Sequence, residues 1–314
     1  MDQKETLITL GKTNIQVPQL GTGAWAWGDR SFWNYGKGYD EADIRAVFDA
    51  SLVAGVNFFD TAEIYGNGRS ERFLGSFMLG ASETVIVATK FFPYPWRLTG
   101  NALTKALRGS LERLNLKRVD LYQLHWPTPL VAIETLADEL GKAVQQGLAR
   151  AVGVSNYDER QMGRASAALA KRGVPLASNQ VLYSLINRKI EKNGLLKSCQ
   201  EQGITLIAYS PLGQGILTGK YTPRQPLPGI RGWRYGRSLL EKVQPLLGLM
   251  VEIGQAHGGK SAGQVALNWV ICKGALPIPG AKNLRQAQEN LGALGWRLVE
   301  AEMAALDEAS EKIS

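Results

Sequence analysis

Val85-Ile86-Val87-Ala88-Thr89-Lys90 and Leu121-Tyr122-Gln123-Leu124-His125 are two nearly continuous apolar runs, each closing on an ionisable side chain, and the residues 103–114 between them have helical character. A run that is apolar on both faces suits a strand covered on both sides, as in a parallel sheet flanked by helices. Strand, helix and strand in that order read as one parallel crossover unit.

The alternation continues in both directions. Strands are expected at residues 19–23, 58–60, 85–89, 121–124, 151–154, 178–181, 205–208 and 276–278, with helices at 41–54, 103–114, 132–146, 195–202 and 261–272 among them. In the first helix Ile44, Val47, Phe48 and Leu52 recur at helical spacing and the chain stops at Gly55. Eight such units predict an α/β fold, a (β/α)8 TIM barrel. Ahead of them, Leu7-Ile8-Thr9-Leu10, Gly11-Lys12-Thr13-Asn14 and Ile15-Gln16-Val17 read as a β-hairpin, expected to cap the barrel bottom. No composition break or linker interrupts the pattern, so residues 1–314 are expected to form a single domain.

The composition is that of an ordinary globular chain, 45% hydrophobic and 20% charged. Cys199 and Cys272 have no metal-ligand spacing, and with two histidines a zinc site is not expected. The polar N-terminus has no apolar signal segment, and no apolar run approaches the roughly 18 residues that span a bilayer. The expected location is cytoplasmic, without membrane contact. The net charge of +8 is spread along the chain apart from a cluster at Arg224, Arg231, Arg234 and Arg237. An anionic small ligand accounts for that cluster without nucleic acid, for which no binding module is present.

Chemistry concentrates where the strands end. Asp60 closes Phe58-Phe59-Asp60 and Tyr65 follows in its loop; Lys90 and His125 close the next two strands. A charge at the end of a buried strand is costly unless paired, and barrel catalytic groups come from the ends of several strands. Residues 221–238, rich in Pro and Gly, form a long loop on the same face, where length usually signals function.

Asp60-Thr61-Ala62-Glu63-Ile64-Tyr65-Gly66, Gly153-Val154-Ser155-Asn156 and Pro279-Gly280-Ala281-Lys282 with Gln286, Glu289 and Asn290 resemble the signatures of the aldo-keto reductase superfamily. The look is of the branch holding potassium-channel β-subunits, bacterial general-stress reductases and plant chloroplast or pyridoxal reductases. The resemblance implies NADPH-dependent carbonyl reduction on a small-molecule aldehyde or ketone. It assigns Tyr65 as general acid, Lys90 and Asp60 as the pair favouring loss of its proton, and His125 as the group orienting the carbonyl. A neighbouring ammonium is expected to lower the phenol's pKa from near 10.

The resemblance also implies a cofactor site. Ser155, Asn156 and Gln180 would meet the nicotinamide carboxamide, with Tyr209 stacked on the ring and Ala24 and Trp25 nearby. Ser210, Pro211, Leu212, Gln214 and Lys220 would follow the pyrophosphate, with Arg231 folding over it as part of a belt. Gly280 and Lys282 would receive the adenosine 2′-phosphate, helped by Arg285, and Gln286, Glu289 and Asn290 the adenine and ribose. Trp27, Trp33, Phe92 and Trp126 are expected to line an apolar substrate pocket.

Two near misses for G-x-G-x-x-G, at Gly66-Asn67-Gly68 and Gly213-Gln214-Gly215, lack the third glycine and an N-terminal βαβ setting, which argues against a Rossmann site. Ser155 lacks the closing glycine of a nucleophile elbow. Two alternatives keep the same residues: a slow NADP(H)-binding redox sensor, and a Schiff-base aldolase using Lys90. A monomer is expected.

Overall fold

The computed structural model describes residues 7–97, 101–229, 232, 235–311 and 313. Strands β1 (Leu7–Thr9) and β2 (Gln16–Pro18) form an antiparallel hairpin. Strands β3 (Thr22–Gly23), β4 (Phe58–Asp60), β5 (Ile86–Phe91), β6 (Val119–Leu124), β7 (Ala149–Ser155), β8 (Leu176–Leu182), β9 (Thr205–Tyr209) and β10 (Leu276–Ile278) form one eight-stranded parallel sheet in sequence order. A parallel bridge from Gly23 to Gly280 joins the two edges. Gly21 and Gly23 donate backbone hydrogen bonds of 2.9 and 3.0 Å to the carbonyls of Pro277 and Pro279, closing the barrel. Proline offers no donor, so neither Pro277 nor Pro279 returns a bond to β3. A side chain at Gly23 would bring Cβ within 2.8 Å of the Ile278 carbonyl oxygen.

All eight expected strands are present, as is the hairpin. The first is shorter than residues 19–23 predicted, because its beginning bonds to prolines rather than to a regular ladder. Helices α1 (Glu41–Val53), α3 (Asn101–Leu114), α4 (Ile133–Gln145), α7 (Leu195–Gln202) and α9 (Ala262–Cys272) match the expected ones. Further helices are α2 (Arg69–Met78), α5 (Glu159–Ala170), α6 (Lys189–Lys192), α8 (Arg237–Ala256), α10 (Leu284–Leu291) and α11 (Glu300–Glu311). Helix α8 carries Pro245 in its interior, which reads as a helix breaker, and α11 is acidic and alanine-rich with a weak apolar stripe. Among the described residues no helix is long and apolar enough to cross a membrane.

The barrel interior is stratified. Its lower part is apolar: Phe58, Ile86, Ala88, Leu121, Ala151, Ala177, Ile207, Leu276 and Ile278 pack with Leu10, Ile15 and Val17 of the hairpin. The Gly11 N–H donates to the hydroxyl of Thr205, the first residue of β9, at 2.7 Å. The hairpin therefore plugs the N-terminal mouth. Period two then carries each strand inward again nearer its C-terminal end: Asp60 two residues after Phe58, Lys90 after Ala88, Gln123 after Leu121. The polar layer lies at the open mouth, above an apolar floor.

Candidate active site

Asp60 ends β4, Lys90 is the fifth residue of β5, and His125 follows β6 directly. Tyr65 opens a short 3-10 turn in which Gly66 and Asn67 adopt left-handed backbone, reversing the chain immediately after the phenol. Lys90 is wholly buried and Asp60 is 2% exposed.

The Lys90 ammonium has three donors and uses each. Nζ lies 2.5 Å from Asp60 Oδ1, 2.9 Å from the Thr61 carbonyl and 3.3 Å from Tyr65 Oη. The second Asp60 oxygen accepts from Gln180 Nε2 at 2.8 Å and Gln123 Nε2 at 3.3 Å. A buried pair is stable when its remaining lone pairs and protons are satisfied, and the two amides do that here. Gln123 was not among the residues expected at the site.

Burial pushes the Tyr65 phenol well above the ordinary tyrosine value, and the Asp60 carboxylate pushes the same way. This corrects the expectation that the ammonium would lower it: the phenol is neutral near pH 7 and holds its proton. Burial draws Lys90 below the usual lysine value against the attraction of Asp60 and Glu71. Burial and then the Lys90 charge hold His125 well below the usual histidine value, so its imidazole is neutral. The His125 ring meets Tyr65 edge-on with centroids 5.7 Å apart, and its Nδ1 is buried without a hydrogen-bond partner among the described residues.

Asp60, Tyr65 and His125, with Lys90 buried behind them, share one cavity of about 770 Å³ with the segments expected to hold a dinucleotide. Of the expected residues, Trp25, Ser155, Asn156, Gln180, Tyr209, Ser210, Pro211, Leu212, Gln214, Lys220, Gly280, Lys282, Gln286, Glu289 and Asn290 line it. Trp33, Phe92 and Trp126 line it as well. Asn156 donates to the His125 carbonyl at 3.1 Å and accepts from the Tyr209 hydroxyl at 3.0 Å, tying three strand ends together. Asn156, Ser210 and Gln214 all hold left-handed backbone, a cost that tends to collect at ligand clamps. Gln286 accepts from the Lys282 amide at 3.0 Å, and Glu289 accepts from the Ser261 hydroxyl. The Lys282 ammonium donates to the Trp33 carbonyl at 2.8 Å and faces the Trp33 and Tyr39 rings.

Two expected residues lie elsewhere. Trp27, placed in the substrate pocket by its neighbours Trp25 and Trp33, is wholly buried, packs on Phe59 and Phe77, and donates to the Ala281 carbonyl at 3.2 Å. It is core, because the chain turns between Trp25 and Trp27, the Trp27 N–H donating to the Ala24 carbonyl at 3.0 Å. Ala24 is also fully buried and off the cavity wall; its amide donates to the Asp60 carbonyl at 2.8 Å. Arg231 lies outside the described residues. Asp29, Ile64, Leu182, Tyr221 and Tyr235 line the cavity without having been expected to.

The donor set fits a phosphorylated dinucleotide. Lys220, Lys282 and Arg285 all line the one cavity and offer donors to phosphate oxygens. Among those residues no group of three His, Cys, Asp or Glu is placed to hold a metal.

Comparison with known proteins agrees with this geometry. A profile of the Aldo/keto reductase family matches residues 19–311. A chloroplast pyridoxal reductase of Arabidopsis thaliana is 43% identical over 312 residues, covering 95% of this chain and 84% of the relative. A methylglyoxal reductase of Escherichia coli is 34% identical, with 94% and 92% covered. An aldo/keto reductase from Klebsiella pneumoniae, solved with NADP and acetate, has a TM-score of 0.76 at 28% identity, with 96% of this chain and 94% of that chain covered.

Proposed function

The chain belongs to the aldo/keto reductase family, and from that premise we propose that it uses NADPH to reduce aldehydes or ketones to alcohols, with Tyr65 as the proton donor. The observation that carries the reading is the contact of Lys90 Nζ with Tyr65 Oη at 3.3 Å and with Asp60 at 2.5 Å, at a cavity mouth shared with three cations.

Bound NADPH supplies the hydride. Everything else falls to the side chains. Neutral Tyr65 delivers its proton to the carbonyl oxygen, and the ammonium 3.3 Å away stabilises the phenolate as the proton leaves. Asp60 keeps Lys90 charged against burial, while Gln123 and Gln180 fix the carboxylate that does so. His125, neutral and edge-on to Tyr65, orients the carbonyl through a ring nitrogen without competing as a cation.

For the cofactor, Ser155, Asn156 and Gln180 would hold the carboxamide end and Tyr209 would pack on the ring. The turn from Ser210 to Gly215, left-handed at Ser210, Gly213, Gln214 and Gly215, would meet the pyrophosphate together with Lys220. Lys282, ahead of helix α10, and Arg285 in its first turn would take the 2′-phosphate, at a helix N-terminus that favours anions.

Trp25, Trp33, Phe92 and Trp126 give the substrate end flat aromatic walls. They suit a planar ring aldehyde such as pyridoxal, the compound in the name of the Arabidopsis relative. The test is fluorescence titration with NADPH and NADH, then turnover of pyridoxal and methylglyoxal followed at the nicotinamide absorbance. Higher kcat/KM for pyridoxal is expected. No NADPH-dependent turnover of either aldehyde would refute the reading.

A further inference from the structure

Glu63 lies between Asp60 and Tyr65 in sequence, yet it does not line the cavity. Its carboxylate is 8% exposed and points to the next loop. Oε1 accepts the backbone N–H of Phe92 at 2.7 Å and Arg97 Nη1 at 2.5 Å, and Oε2 accepts Arg97 Nη2 at 3.0 Å. The same guanidinium donates to the Phe92 carbonyl at 3.0 Å and faces the Phe91 and Tyr94 rings, each at 5.0 Å. Phe92 in turn stands edge-on to His125, with centroids 5.6 Å apart.

Two loops therefore meet through one carboxylate. One carries the phenol; the other carries the aromatic wall that touches the imidazole. Both polar backbone groups of Phe92 are held by the Glu63–Arg97 pair, and charge-assisted, bidentate bonds of this kind fix geometry as well as energy. Removing the carboxylate leaves a half-buried guanidinium and a backbone donor without their acceptor, so the Phe92 loop would detach from the Tyr65 loop.

We propose that Glu63, clamped by Arg97, is a positioning residue that sets the width of the carbonyl's seat between Tyr65, His125 and Phe92, and so selects for ring-bearing aldehydes. The inference rests on the reading of Tyr65 as proton donor. It goes beyond that reading in assigning substrate discrimination to a pair that touches no substrate.

The test compares wild type with Glu63→Ala, Glu63→Gln and Arg97→Gln on pyridoxal and methylglyoxal, alongside hydrogen exchange of the Phe92 amide. For Glu63→Ala, KM for pyridoxal should rise about tenfold, within the roughly hundredfold that a 1 Å misplacement can cost. KM for the small aldehyde should move less than about threefold, NADPH affinity should hold within twofold, and the Phe92 amide should lose protection. Glu63→Gln keeps an acceptor for Phe92 and should recover most of the discrimination. Arg97→Gln gives the same pyridoxal-selective loss if Glu63→Ala does not fold. Equal KM increases for both aldehydes, or unchanged kinetics despite lost protection, would overturn the proposal. Failure of the reading itself looks different: Tyr65→Phe would then turn over like wild type, and exchange at Phe92 would still report whether the clamp exists.

Discussion

The Lys90 ammonium stands 3.3 Å from the Tyr65 phenol oxygen while remaining bonded to the Asp60 carboxylate. The consequence is a division of labour. A phenol alone in a buried site would keep its proton too tightly, and burial together with Asp60 does raise it. The ammonium offsets this only as negative charge develops on the oxygen, so the stabilisation is larger in the transition state than in the resting protein.

Tyr65→Phe removes the proposed proton donor and leaves the ring. Reduction should fall by about 10²–10⁴ in kcat, the usual contribution of a positioned acid, while the dissociation constant for NADPH stays within about twofold. Steady-state kinetics and fluorescence titration check this. A variant with wild-type kcat would remove Tyr65 from its role.

Much of this site was legible because a charge closing a buried apolar run has few explanations. Asp60, Lys90 and His125 stood out on that ground alone. Gln123 did not, since an amide inside a strand reads equally well as solvent-facing; only its period-two relation to Leu121 and His125 marks it as inward. Trp27 misled for the opposite reason: in an irregular loop no fixed period says which tryptophan faces the cavity and which the core. The hairpin was readable from its Gly/Asn turn, whereas α8 and α11 were hidden by an internal proline and by weak apolar patterning. The phenol's direction of shift depends on how completely the site is buried, which sequence does not display.

Gly11 tests the barrel plug. It holds left-handed backbone at φ +56°, and an added Cβ would stand 2.7 Å from the Ala177 Cα in β8. Gly11→Ala should therefore lift the hairpin from the barrel floor and cost about 1–3 kcal/mol, the usual penalty for overpacking. The urea midpoint should fall while the Tyr65 chemistry at the opposite mouth is kept. An unchanged midpoint would mean that the plug does not bear on stability.

His125 gives the fold an acid sensitivity of defined sign. Its folded pKa lies well below the ordinary 6.5, from burial first and Lys90 second. As pH falls through the ordinary value the unfolded chain takes up a proton that the folded chain refuses, so stability is complete above about 6.5 and declines as pH approaches the folded value. In His125→Asn this contribution is absent. The melting temperature of wild type minus that of the variant should therefore decrease between about pH 7.5 and 5.5. A difference that is flat or grows on acidification would show that the imidazole is not held neutral.

Lys282 is the residue proposed to separate the two nicotinamide cofactors. Its ammonium donates to the Trp33 carbonyl and lies 4.9 and 4.7 Å from the Trp33 and Tyr39 ring centres, so its apolar stem is packed as well as its charge bonded. Lys282→Met keeps the stem and removes the charge offered to a 2′-phosphate. A hydrogen bond to a charged group contributes about 1.5–3 kcal/mol, or about 10- to 100-fold in affinity. The dissociation constant for NADPH should rise by that factor and the one for NADH should barely change, because NADH has no phosphate to lose contact with. Titration of both cofactors against the variant reads the two effects separately. A matching loss for NADH would mean that the substitution disturbs the Trp33 loop rather than a phosphate contact, and the preference for NADPH would then have to come from Arg285 instead.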